Sequence, residues 1–186
     1  MRSGNDFRWV EVSPDYWGRM QGFECARPLD DPFEGAERRH GRYYRPWELE
    51  VQSTVRRFRK CDPASQWADL CVSADANGDE RIWAFVWYGI IGGRKTNADG
   101  TYMIGYIARA LSASGCRIGD AALSHALRVL RADHEATGRD PVVGARIDPS
   151  NGASGALFSR HGFVDAGVDP EATEYHRWLR FGFDGV

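Results

Sequence analysis

Hydrophobic positions change their spacing along the chain, and the changes predict its elements. Between Trp67 and Leu111 apolar residues form near-continuous blocks cut by short polar turns. The blocks are Trp67–Ala74, Arg81–Ile91 (with its run IWAFVWYGII) and Tyr102–Leu111 (with YMIGYIARAL). Blocks of this length, rich in β-branched and aromatic residues, predict strands, and the second reads as buried on both faces. The turns between them are Asp75-Ala76-Asn77-Gly78-Asp79 and the 92–100 segment with Asn97, Asp99 and Gly100. Asn-Gly tolerates positive φ, and strands joined this closely run antiparallel. From Arg117 to Thr137 the period becomes helical. Ile118, Ala122, His125, Val129 and Ala132 share one face, widened by Ala121, Leu123, Ala126, Leu127 and Leu130, and Gly138 suits the C-cap. A short strand, Pro141–Ile147, comes next. Asp148-Pro149-Ser150-Asn151 then opens a helix over Gly152–His161, and Phe163–Val168 and Glu174–Phe181 form a last strand pair. This order predicts an α/β (α+β) chain with a mixed, mostly antiparallel central sheet flanked by helices.

The first 60 residues are less regular. Phe7–Val12 alternates weakly, as a first strand would, and Pro14, Pro28, Pro32 and Pro46 divide the rest of this stretch into short pieces. Trp47–Phe58 has a helical stripe of Trp47, Val51, Val55 and Phe58. Around it lies a basic cluster, Arg38, Arg39, Arg42, Arg45, Arg56, Arg57, Arg59 and Lys60, interleaved with Tyr43, Tyr44 and Trp47. Such a patch suits phosphates or single-stranded nucleic acid. Acidic residues lie among these arginines, however, and a solvated face is the simpler reading.

Composition narrows the class. The 186 residues are 42% hydrophobic and 27% charged, ordinary globular usage for one domain spanning 1–186. A formal net charge of -2 supplies no global field toward nucleic acid or anionic lipid. Cys25, Cys61, Cys71 and Cys116 are too scattered for a zinc site or a disulfide framework, so no metal is expected, and reduced core thiols in the cytoplasm are the simpler reading. The longest uncharged apolar stretch, Ile82–Gly93, is shorter than the ~20 residues of a membrane span. Exposed Trp and Tyr would suit a homodimer interface.

Two segments carry candidate chemistry. In Tyr102–Leu123 a strand leads through a small-residue loop, with Gly115 and Gly119, into a helix. The first turn of a helix has unpartnered N–H groups and the positive end of the macrodipole, a seat for pyrophosphate, and Arg117 adds a charged donor. In Arg146–Phe163 a strand ends in Asp-Pro-Ser-Asn before a short helix closed by Gly-Phe. Asn151 is a natural cap there, and a ligand contact is the competing role.

In this order and spacing the two segments resemble the GNAT acetyltransferase superfamily. The loop reads Ser114-Gly115-Cys116-Arg117-Ile118-Gly119, and the later pattern runs from Asn151 through Leu157-Phe158-Ser159-Arg160-His161-Gly162-Phe163. The resemblance covers roughly Trp67–Phe181. It implies a single-domain fold with an acetyl-CoA-binding core at 67–181 and an acceptor-side segment at 1–60. It also implies transfer of an acetyl group from acetyl-CoA to a primary amine by direct attack. The pyrophosphate would sit on Ser114, Gly115, Cys116, Arg117, Ile118 and Gly119. The pantetheine arm and the oxyanion would use the strand around Ile107, Arg109, Ala110 and Leu111, with Asn151 and Phe158 from the other side.

Three departures stand out. Ser114 replaces the usual Arg or Gln. Arg117 stands at a glycine position, where it must avoid the left-handed region or carry strain. Phe158 stands where many members have a tyrosine that protonates the leaving thiolate. An amine of pKa near 10 must lose a proton before it attacks, so a base is required. Asp148, Glu48 and Glu50 are the candidates, with Tyr102 and Tyr106 behind them. Glu48 and Glu50 have local arginines as alternative partners, and Asp148 has a capping role open to it. His125 is a helix-face residue, His161 a C-cap, and His176 lies on the last strand, where alternation does not place its side chain. The acceptor is a small-molecule amine in preference to a protein N-terminus. Two other classes stay open: a non-catalytic acyl-CoA-binding domain, and an anion or nucleic-acid module built on Arg38–Lys60.

Overall fold

The computed structural model describes residues 7–74, 77–113 and 115–185. It has strands β1 (Arg8–Glu11), β2 (Glu37–Arg39), β3 (Arg42–Tyr44), β4 (Gln66–Ala74), β5 (Glu80–Ile91), β6 (Thr101–Arg109), β7 (Val142–Ile147), β8 (Val164–Val168) and β9 (His176–Phe181). The α-helices are α1 (Trp17–Gln21), α2 (Pro46–Arg57), α3 (Ile118–Thr137) and α4 (Gly152–Arg160). Seven strands form one sheet in the order β1-β4-β5-β6-β7-β9-β8, while β2 and β3 make a separate hairpin. The expected α/β (α+β) class, with a mixed and mostly antiparallel sheet, is therefore met. The turn expected at 75–79 lies partly outside the described residues.

The chain divides into two compact units that do not follow sequence order. The first holds residues 1–60, 69–85 and 108–118. Here β1 pairs antiparallel with β4, Arg8 opposite Val72 and Glu11 opposite Asp69. Tyr16, Met20, Phe23, Val55 and Phe58 are buried, and Phe58 meets Phe85 edge-on at 5.2 Å. The side chains of α2 hold the strap at 23–27 by its backbone. Gln52 Oε1 accepts from the N–H of Cys25 (2.9 Å) and Ala26 (3.0 Å), Glu48 Oε2 accepts from Arg27 N (2.9 Å), and Arg56 Nε donates to Phe23 O (2.8 Å). This stretch is more ordered than its prolines suggest. The sequence pattern does not announce α1 or the β2–β3 hairpin, because five- and three-residue elements are too short to show a period.

The second unit holds residues 61–68, 86–107 and 119–186. β7 lies between β6 and β9. Its antiparallel register with β9 is complete, from Val142 opposite Phe181 to Ile147 opposite His176. On α3 the buried stripe is Ile118, Ala122, Leu123, Ala126, Leu127 and Leu130, each of the larger side chains contributing ~1.5–3 kcal/mol by burial. This corrects the expected face: Ala121 and Ala132 are exposed, and His125 and Val129 sit at the margin. The i, i+4, i+5 rows reach the core, and the row through Ala132 turns out to solvent.

The far end of α3 is fastened by a buried charge. Arg139 has no exposed surface; its Nε donates to Asp133 Oδ2 (3.3 Å) and its Nη2 to the carbonyls of Arg94 and Asn97 (2.6 Å each). Tyr102 OH donates to the same Asp133 oxygen at 2.7 Å. Burial and the Asp133 carboxylate push the Tyr102 phenol well above its ordinary value. Tyr102 is thus a core residue and not a base.

Candidate functional site

β6 and β7 start as a parallel pair and then part. Tyr102, Met103 and Ile104 stand opposite Val143, Gly144 and Ala145, and the register ends there. Both strands run on, β6 to Arg109 and β7 to Ile147. Past Ile104 and Ala145 each strand therefore has an edge that its neighbour does not pair with; Gly105 and Arg146 on it are exposed, and such an edge offers N–H and C=O groups to a partner strand or an extended ligand. Ile107 is half-buried on this stretch, Tyr106 stacks on Trp87 at 5.6 Å, and Arg109 is exposed. Ala110 and Leu111 are differently placed. Their N–H groups donate to Trp83 O and Glu24 O, both at 2.9 Å, so these two expected oxyanion donors are already in use.

β6 leads into the expected phosphate loop. Ser114 lies outside the described residues. Gly115, Cys116 and Arg117 are exposed, and Ile118 is buried as the first residue of α3. Gly115 has φ 83° and Arg117 φ 49°. A left-handed arginine carries roughly 1–2 kcal/mol of strain. The departure at the glycine position is thus accommodated by strain, not by a changed backbone path. Alternating left- and right-handed residues ahead of a helix form a concavity suited to anions. Gly119 faces Leu157 of α4, where an added Cβ would stand 3.7 Å away. One residue on, Asp120 accepts from Arg160 Nε (3.2 Å) and Nη2 (3.3 Å) and pairs with His161 Nε2 (3.3 Å), the α4 C-cap.

The start of α4 has a different construction. Asn151 caps the helix, its Oδ1 accepting from Ser154 N at 3.2 Å. Asp148 Oδ1 accepts from Ser150 N at 2.8 Å. Both line a cavity of about 150 Å³ with Ile147, Gly155, Asp165, His176 and Trp178. Sequence reasoning marks Asp148 and Asn151 and leaves the orientation of His176 open; it misses Asp165 and Trp178. The β8–β9 register places Asp165 opposite Trp178, and so on the face of His176, before it shifts between Asp165 and Val168. There the Asp165 carboxylate accepts from Gly167 N (2.8 Å) and from His176 Nδ1 (2.8 Å to Oδ2). The hydrogen bond from His176, then that from Gly167, holds the Asp165 carboxyl below its ordinary value. The alternation of β9 carries part of this signal, since His176 and Trp178 share a face, but no local pattern announces that Asp165 pairs opposite them.

The other expected bases, Glu48 and Glu50, lie on α2. Glu48 has one carboxylate oxygen on Arg27 N and the other on Arg45 Nη1 (3.2 Å). Glu50 is exposed on α2. Phe158 is buried, edge-on to Phe163 at 4.9 Å. In the basic cluster Arg56, Arg57 and Arg59 donate to backbone carbonyls, Arg39 pairs with Glu37, and Arg38 lies over the Tyr43 ring. Among the described residues no group of three or more His, Cys, Asp and Glu side chains is arranged to hold a metal, and no helix is long and apolar enough to cross a membrane.

Known structures share this arrangement along nearly the whole chain. A nourseothricin acetyltransferase superposes with a TM-score of 0.57 at 14% identity, covering 94% of this chain and 98% of that one. The ribosomal-protein-S18-alanine N-acetyltransferase from Escherichia coli gives 0.55 at 13%, covering 94% and 93%. This chain has the GNAT acetyltransferase fold. A third structure of this fold, the AtaT toxin bound to the C-terminus of the antitoxin AtaR and acetyl-CoA, gives 0.59 at 12%, covering 93% and 92%. No protein-family model and no curated protein matches the sequence itself. The GNAT resemblance read from two short motifs therefore holds at the level of fold. At this identity the comparison speaks for the architecture that hosts acetyl transfer, not for an acceptor.

Proposed function

We propose that the chain is an N-acetyltransferase that moves the acetyl group of acetyl-CoA onto a primary amine by direct attack. The observation that carries this reading is the end of the β6–β7 register at Ile104 and Ala145, with both strands continuing. An extended arm rich in amides is the ligand that satisfies such an edge, because main-chain groups recognise it as they would another strand. The loop before α3 suits a phosphate by its own construction. Its strained Arg117 and left-handed Gly115 stand exposed at the start of α3, where backbone N–H groups and the helix dipole favour phosphate.

The residues that would hold acetyl-CoA are Ile107 and Arg109 on β6, Gly115, Cys116, Arg117, Ile118 and Gly119 in the loop together with Ser114, and Asn151 on α4. When bound, acetyl-CoA supplies an acetyl group activated as a thioester. The chain then has to orient the amine, take its proton and keep water from the thioester. Phe158 offers no proton to the leaving sulfur, so solvent or the amine's own proton serves there. The acceptor we propose is a small-molecule amine. We place the protein in the cytoplasm, the compartment its four scattered cysteines suit.

A second reading, a non-catalytic acyl-CoA-binding domain, draws on the buried hydroxyl-less Phe158. Calorimetric titration with acetyl-CoA and with CoA tests what both readings share. Micromolar binding is expected in the wild type and none in Gly115→Tyr, since a bulky residue at φ 83° distorts the loop. Absence of binding by a folded wild type overturns both. CoA release on adding amines then separates enzyme from binder.

A further inference from the structure

The cavity beside α4 contains an oriented histidine that plays no part in the acetyl-transfer reading above. Its wall comes from the end of β7 (Ile147, Asp148), the start of α4 (Asn151, Gly155), β8 (Asp165) and β9 (His176, Trp178). Trp178 faces α4, since a Cβ added at Gly155 would come within 3.3 Å of its ring. His176, two residues earlier on the strand, lies on the same face. Its Nδ1 is engaged by Asp165 at 2.8 Å, and Asp165 is itself fixed by Gly167 N. An ionised carboxylate only accepts, so Nδ1 carries the proton and Nε2 is the basic nitrogen. Among the described residues Nε2 has no hydrogen-bond partner.

The charges around this ring come to a simple sum. β7 contributes the Asp148 carboxylate and β8 the Asp165 carboxylate; the α4 lining residues Asn151 and Gly155 are uncharged, and β9 adds only His176 and the Trp178 indole. Two carboxylates and an aromatic face favour a cation. A space of about 150 Å³ holds about five waters' worth of ligand, the end of an aminoalkyl chain.

We infer that this cavity receives the ammonium end of a primary alkylamine, with Asp148 attracting it, His176 as the general base and Asp165 as its positioning residue. This rests on the acetyl-transfer reading. The ammonium nitrogen gives one proton to His176 Nε2, which passes it to solvent. The neutral nitrogen then forms the C–N bond while the thioester C–S bond breaks, and its second proton leaves with the sulfur. The products are an amide, CoA as its thiol and one proton in solution.

The test uses the whole chain and 1,4-diaminobutane as the probe. First, imidazole nitrogen resonances are followed by NMR as the diamine is added alone. The diamine should shift the His176 Nε2 signal in the wild type and less in Asp148→Asn. Second, CoA release is measured from pH 6 to 9 at saturating acetyl-CoA. His176→Asn should lower kcat/KM by ~100-fold and leave a rate that rises steadily from pH 6 to 9 with the fraction of neutral amine, with acetyl-CoA affinity unchanged by calorimetry. Asp165→Asn should lower kcat/KM less, because the imidazole keeps its basic nitrogen and loses only the carboxylate that orients it. Wild-type rates and profile in His176→Asn, or an unshifted His176 signal, overturn the inference. If diamine shifts His176 while acetyl-CoA neither binds nor turns over, the cation site stands and the acetyl-transfer reading, with the base role, falls.

Discussion

Helices α3 and α4 follow β6 and β7 through short loops, and they start in opposite ways. α4 is closed by its own residues: Asn151 accepts from Ser154 N and Asp148 from Ser150 N. α3 is entered through Gly115 and Arg117, both left-handed and exposed. The first start stabilises itself with capping side chains of a kind common to soluble helices. The second carries strain that a glycine at 117 would relieve. Strain of this kind persists only where surroundings over-determine the backbone, and it collects at ligand sites. The surroundings are identifiable: α3 buries a continuous apolar stripe, and its far end is fastened through Asp133 to Tyr102 and Arg139. The helix with the more secure body has the less comfortable beginning.

The comparison breaks most visibly at that far end. Asp133→Ala leaves the Arg139 guanidinium buried without its counter-charge, and a cost of about 3–5 kcal/mol is expected in urea unfolding. A loss below about 1 kcal/mol would mean that the anchor does not hold α3. Asn151→Ala removes the α4 cap and should cost about 1 kcal/mol. If Asn151 is a cap alone, acetyl-CoA affinity measured by calorimetry is unchanged; a weaker complex assigns it a ligand contact as well. Arg117→Gly should do the reverse at α3 and stabilise the fold by up to about 1 kcal/mol, with acetyl-CoA binding retained if backbone groups carry the phosphate. A destabilised variant would remove the strain argument.

The smallest effect concerns acid. Hydrogen bonds from His176 and from Arg146 hold the Asp165 and Asp169 carboxyls below 3.8, their ordinary value. A depressed carboxylate contributes stability above its unfolded value and loses it as pH falls through the folded one. The urea midpoint should therefore stay level, as far as these two groups go, from pH 7 to about 5 and decline below about 4. Asp165→Asn should make that decline shallower. An unchanged slope would show that the pair with His176 is not formed in solution.

The strands β4, β5 and β6, both long helices and the late strand pair were legible because each is long enough to show its period. Their observed ends fall within a residue or two of the expected ones; the tail of the third strand, Ala110 and Leu111, passes instead into a tight turn. The two motif segments were legible for a different reason. A glycine loop before a helix and an Asn cap after a strand are local, and their residues are neighbours in sequence. Glu48 was visible as a carboxylate on a helix, but its engagement by Arg27 N depends on where a strap 21 residues earlier comes to lie. His176 was visible too, but its partner Asp165 is 11 residues away on the paired strand.

Sequence alone determined the spacing of apolar positions, the glycines and caps that end elements, and from these the order of strands and helices and the likeness to one fold. Those properties reside in neighbouring residues, and the chain carries them before it folds. Only the tertiary structure decided that the β6–β7 register stops at Ile104 and Ala145, that Arg117 is held left-handed, and that strand pairing brings Asp165 onto His176. Each of these is a relation between segments that packing brings together, and no local preference along the chain encodes it.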